Sequence, residues 1–102
     1  MKTAQRVQAV KNRLITLNDL AANLNQTIKH QRTKTYFLRP VRNKLSSVET
    51  ELVPWALKAS TPANASMFLD MAEFELGQAE ARLNYVQGML TRYGAGIQAI
   101  GG

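Results

Sequence analysis

The sequence has no cysteine, which excludes a disulfide scaffold, thiol catalysis and every thiolate metal site. A single histidine, His30, excludes a zinc or haem centre built on several imidazoles. Aromatic residues make up only 7%, and no apolar run approaches the ~18 residues needed to cross a bilayer. There is no Walker-type phosphate loop, no Gly-x-Ser-x-Gly elbow and no Gly-x-Gly-x-x-Gly turn. Alternating strand patterns and Asn-Gly or Asp-Gly hairpin turns are missing as well. The residues from Met1 to Arg6 lead into an amphipathic pattern rather than a signal-peptide core, which predicts cytoplasmic synthesis. What is present is a short basic chain of 102 residues, 45% hydrophobic and 20% charged, expected to fold as a single domain over 1–102.

The net charge of +6 is unevenly spread. Residues 1–48 carry ten bases against Asp19 alone, whereas residues 49–102 carry three bases against six acids. Such a split predicts either that the halves neutralise each other or that the basic half meets an external anion.

Apolar spacing reads as helix throughout. Leu69, Ala72, Leu76, Ala79, Leu83, Val86, Leu90, Tyr93, Ile97 and Ile100 recur at alternating intervals of three and four, the seam of a coiled coil. Thr61 reads as the N-cap of that helix, Pro62 as its first residue and Gly94 as its C-cap. A second seam runs through Val7, Val10, Leu14, Leu17, Ala21, Leu24 and Ile28. After the polar interval 29–35 the pattern resumes, out of phase, at Leu38, Val41, Leu45, Val48, Leu52 and Trp55. Pro40 and Pro54 threaten helical geometry at the residues before them. The expected helices lie near 3–34, 37–59 and 62–93, the first two fused with a kink if the chain stays helical through Pro40. A flexible Gly-rich tail is expected over 94–102. The fold class is all-α: an antiparallel coiled-coil-like helical hairpin or a three-helix bundle with a long, kinked N-terminal helix.

A turn near Ser60-Thr61 makes the last helix antiparallel to its predecessor, with residue i opposite about 121 − i. The last helix then reaches back only to about residue 28. The seam from Val7 to Leu24 has no partner in such a hairpin, and this apolar strip, seven residues with Ile28, predicts an oligomer interface unless the chain closes as a three-helix bundle.

Candidate chemistry is sparse. His30 has no carboxylate neighbour in sequence, as a general base would need. The acids Asp70, Glu73, Glu75 and Glu80 lack the Glu-x-x-His pattern of bundle metal sites and read as a solvated or ion-paired face. Ser46 and Ser47 before Glu49 read as a capping box. Trp55 reads as a core plug at the hairpin end or as an interface anchor. No enzyme activity, cofactor or metal is expected.

The basic interval carries most of the functional signal. Lys29, Arg32, Lys34, Arg39, Arg42 and Lys44 place six cations in sixteen residues with no acid among them, and Tyr36 and Phe37 are interleaved. Such surfaces hold phosphate and stack bases. In the antiparallel register Arg42 and Lys44 come within reach of Glu73, Glu75 and Glu80. Lys29, Arg32, Lys34 and Arg39 fall opposite 82–92, where the only charges are Arg82 and Arg92. These four are the candidate contacts for a polyanion or a partner subunit.

In outline the chain is similar to small self-assembling secretion proteins, such as type III needle subunits and the WXG100 group. The turn Ser60-Thr61-Pro62-Ala63-Asn64 carries the first likeness. Trp55 is followed by Ala56-Leu57, a departure from the Trp-x-Gly turn of the second. In texture it also looks like small helical virion proteins of bacteriophages. These resemblances imply a non-enzymatic, self-assembling structural protein, a homo-oligomer or a partner of other structural subunits, incorporated into a virion or a secretion-type assembly. The alternative is a small basic protein that binds nucleic acid through its backbone charge.

Overall fold

The computed structural model describes residues 2–94. Its helices are α1 (Thr3–Thr27), α2 (Gln31–Ser47), α3 (Val53–Lys58) and α4 (Pro62–Tyr93). A wider π turn, Val48–Leu52, joins α2 to α3, and Val48 and Val53 at its junctions keep helical dihedrals. The α2–π–α3 stretch is therefore one continuous rod, and the protein is an all-α three-helix bundle. Its extents are 50 × 20 × 16 Å, and its radius of gyration of 15.7 Å exceeds the ~13 Å of a compact chain of this length.

The local chemistry of α4 is as expected. Thr61 is extended and its hydroxyl accepts from the Asn64 N–H at 3.1 Å, Pro62 opens the helix, and Gly94 closes it at φ +34°. At that dihedral a side chain would be strained, which is why glycine suits the cap. The seam is buried from Leu69 through Val86, Leu90 is half-buried and Tyr93 is exposed. Ile97, Ile100 and the expected tail from 95 onward lie outside the described residues.

Three expectations need correction. First, α1 ends at Thr27 rather than near 34. Ile28 (φ −80°, ψ 123°) and His30 (φ −83°, ψ 127°) are extended, and the chain reverses with neither glycine nor proline. Thr27 and Ile28 are β-branched and weak helix formers, and leaving the helix seats Ile28 fully in the core. Second, Pro40 does not end a helix: it is exposed in the middle of α2, which runs on from Gln31 to Ser47. Third, the seam Val7, Val10, Leu14, Leu17, Ala21, Leu24 and Ile28 is buried within its own chain, where α1 packs on both α2 and α4. The exposed strip that predicted an oligomer interface at these residues does not exist.

Pro54 is accommodated by the π turn before it. The Val53 N–H bonds the Val48 carbonyl, five residues back, and the wider turn opens room for the proline ring. The extra residue also rotates the seam. Val53 and Ala56 turn inward, while Trp55, read from the sequence as a core plug or an interface anchor, stands 46% exposed with its ring 5.7 Å from that of Phe68. Ser46 and Ser47 lie inside the helix leading to this turn and cap nothing.

Helix direction decides which charges meet. α2 runs antiparallel to α4, so Lys44 reaches Glu75 at 2.9 Å and Arg82 reaches the Tyr36 carbonyl at 3.3 Å. α1 runs parallel to α4. Arg6 donates to Ser66 (2.9 Å), Asp70 (2.7 Å) and Glu73 (2.9 Å), and Arg13 lies 4.0 Å from Glu80. Hydrogen bonds donated to Glu73 and then to Asp70 hold the Arg6 guanidinium more firmly protonated than usual.

Candidate functional site on the second helix

The sequence-predicted cations lie on or beside α2. At 100° per residue, Arg32, Arg39 and Arg42 fall within about 80° of one another on its outer side. All three are exposed and Lys34 is half-buried. Lys34, Arg39 and Arg42 line one open groove with Asn25, Gln31, Thr35 and Leu38, at the seam between α1 and α2. The groove is polar and its charges are of one sign.

Among the described residues, Arg32, Lys34, Arg39 and Arg42 make no ion pair within 4.0 Å. Lys44 of the basic interval pairs with Glu75 on α4, and it also donates to Gln78 at 2.8 Å. Lys29 interacts within its own chain. The expectation for Arg42 fails because Glu73 and Glu80 face α1, where Arg6 and Arg13 take them. Without knowing that α1 runs parallel to α4, the sequence could not apportion those acids.

Arg82 is a site residue that the sequence reading missed. Its guanidinium lies 5.5, 5.3 and 5.6 Å from the ring centroids of Tyr36, Phe37 and Tyr85. Pro40 has no N–H to give the Tyr36 carbonyl four residues back, and Arg82 Nη2 fills that vacancy at 3.3 Å. Arg82 Nε is buried with no hydrogen-bond partner. Tyr36 meets Phe37 edge-on, at 4.9 Å and 88°, and is itself 65% exposed. An exposed aromatic ring thus stands beside a file of cations. The signal lay in the Tyr-x-x-x-Pro spacing, which leaves one helix carbonyl free.

His30 is the exposed N-cap of α2 and makes no side-chain cap. No cluster of three or more His, Cys, Asp or Glu able to hold a metal occurs among the described residues. No described helix is long and apolar enough to cross a membrane. Compared with known families, characterised proteins and solved structures, the chain matches none, so the reading of this surface rests on its own residues.

Proposed function

We propose that the chain is a non-enzymatic binding protein for an extended polyanion, the phosphate backbone of nucleic acid, held along the outer side of α2. One observation carries this reading: Arg32, Lys34, Arg39 and Arg42 crowd one helix, the last three line one groove, and none of the four is paired to an acid among the described residues. Crowded like charges repel, and an external polyanion relieves that repulsion while releasing its own counterions. Backbone charge is read along such a face and sequence is not. Tyr36 supplies a ring on which an unpaired base stacks.

The test is a salt titration of binding to a duplex and to a single strand. Affinity falls linearly in log–log salt, by about 0.9 per phosphate neutralised on duplex DNA. Changing Arg32 and Arg39 to Gln lowers that slope by up to about two and leaves sequence preference unchanged. Changing Lys2 and Lys58 to Gln, far from the groove, leaves it nearly intact. Absence of binding at low salt, or an unchanged slope in the Arg32/Arg39 variant, overturns the proposal.

A second reading, a self-assembling structural component of a virion or secretion-type assembly, no longer rests on α1. It is favoured instead by large apolar residues left exposed along α4: Met67, Met71, Phe74 and Tyr85.

A further inference from the structure

α4 buries one face and leaves its opposite face uncovered. Met67, Met71, Phe74, Ala81, Tyr85 and Gly88 are all exposed, and with Gln78 between them they recur at intervals of three and four. That is a second heptad stripe, turned to solvent, with no charged residue on its centre line from Met67 to Gly88. It is about 32 Å long at 1.5 Å per residue. Trp55 and Tyr36, both exposed, flank it on the α2–α3 side. The chain's own packing does not require the glycines, because a Cβ on Gly77 or Gly88 would meet nothing within 4 Å.

We propose that two copies of the chain pair antiparallel through this face of α4. This interface goes beyond the polyanion reading and does not depend on it. From Met71 to Gly88 the stripe is complementary to its own reverse, and Met67 falls opposite Arg92 of the second copy. Turned about a two-fold axis between Ala79 and Glu80, Phe74 meets Tyr85 of the second copy, Met71 meets Gly88, and Gln78 meets Ala81. Large residues therefore lie against small ones, and two aromatic rings pair on each side of the axis. In an antiparallel helix pair like edges meet, so Glu75 and Arg82, which share the α2 edge, come within one turn of Arg82 and Glu75 of the second copy.

The charge of the whole rod selects the same orientation. Cut across its middle, the half holding residues 2–10 and 44–77 carries four bases and five acids. The half holding 11–43 and 78–94 carries nine bases and two acids. A parallel pair sets two halves of charge +7 side by side. An antiparallel pair sets each +7 half beside a −1 half at the 8–10 Å of packed helices. The two +7 halves then sit about 25 Å apart along the 50 Å rod, well beyond the ~8 Å screening length of physiological salt.

The experiment is mass in solution against concentration, by sedimentation on nuclease-treated full-length protein. The wild type forms a dimer that dissociates on dilution. Phe74→Glu weakens it at least about 100-fold while leaving the helical signal and melting temperature of the monomer in place. Ile15→Glu, at an exposed apolar residue on α1, leaves the dimer unchanged. Orientation is read from cross-linking, since the chain has no cysteine of its own. Mixed Met71→Cys and Gly88→Cys proteins form a disulfide with each other, and Met71→Cys alone forms none. A wild type that stays monomeric to about 1 mM, a dimer indifferent to Phe74→Glu, or efficient cross-linking of Met71→Cys to itself overturns the proposal.

Discussion

Arg82 shows how one side chain links two irregularities of this chain. Pro40 removes a helix hydrogen bond and Arg82 replaces it across the bundle, held between aromatic rings. Arg82→Met is expected to lower stability by about 1–3 kcal/mol, the range for a charged hydrogen bond with cation–π support. In a Pro40→Ala background the backbone N–H returns to the Tyr36 carbonyl, and the same change costs about 1 kcal/mol less. A double-mutant cycle by chemical denaturation reads this coupling directly; zero coupling removes the link. Leu83, fully buried at the centre of α4, gives the reference for a pure packing loss. Leu83→Ala should lower stability by ~2–5 kcal/mol, and a melting temperature within a degree or two of wild type would mean that the seam is not buried. Gly77 lies at the other extreme, exposed inside a helix with open space about it. Gly77→Ala should stabilise the monomer by about 0.5–1 kcal/mol through helix propensity alone, measured on the Phe74→Glu background to keep association out of the signal.

Among the elements, α4 was the most legible because its pattern and punctuation agree. A regular seam, a Thr-Pro start and a glycine stop all point to one helix, and the structure has it. The α1–α2 junction was legible only as a phase shift. Its location was missed because no turn residue marks it; burial of Ile28 and Thr33 in the assembled core defines the break. Pro40 misled for the converse reason: the penalty of an internal proline falls when a distant arginine serves the vacated carbonyl. The π turn was invisible because one extra residue per turn leaves no compositional mark, yet it moves Trp55 from core to surface. The junction also yields a test. His30 caps α2 without a side-chain hydrogen bond, so His30→Asp should raise stability by about 0.5–2 kcal/mol through a proper N-cap and a favourable charge at the helix start. A thermal melt reads this as a rise of several degrees; an unchanged melt would mean that α2 does not begin there.

Across the whole molecule, the parallel pairing of α1 with α4 sorts the acids of the second half. Arg6 and Arg13 take Asp70, Glu73 and Glu80, and Lys44 takes Glu75. The basic interval was legible because it is a local run, and its outward placement follows from helical spacing. Which of its cations keep their charge free was legible only in part, because that depends on where α1 folds. Arg6 is 19% exposed and anchors three partners, so Arg6→Met should cost about 1 kcal/mol, near the upper end for a surface network. A loss well above that would mean that Arg6 also fixes the direction in which α1 packs.

An odd number of rods has a consequence for how the chain can be connected. Lys2 enters near the end of the bundle that holds the 59–61 turn, and Gly94 leaves at the other end, beside the reversal at 28–30. These two residues are separated by most of the 50 Å long axis. Joining them in a circular permutant would need a linker of about a dozen extended residues laid along the outside of the rod. Attached in the ordinary way at each end, two fused bodies would instead be held apart, with the bundle acting as a stiff spacer between them.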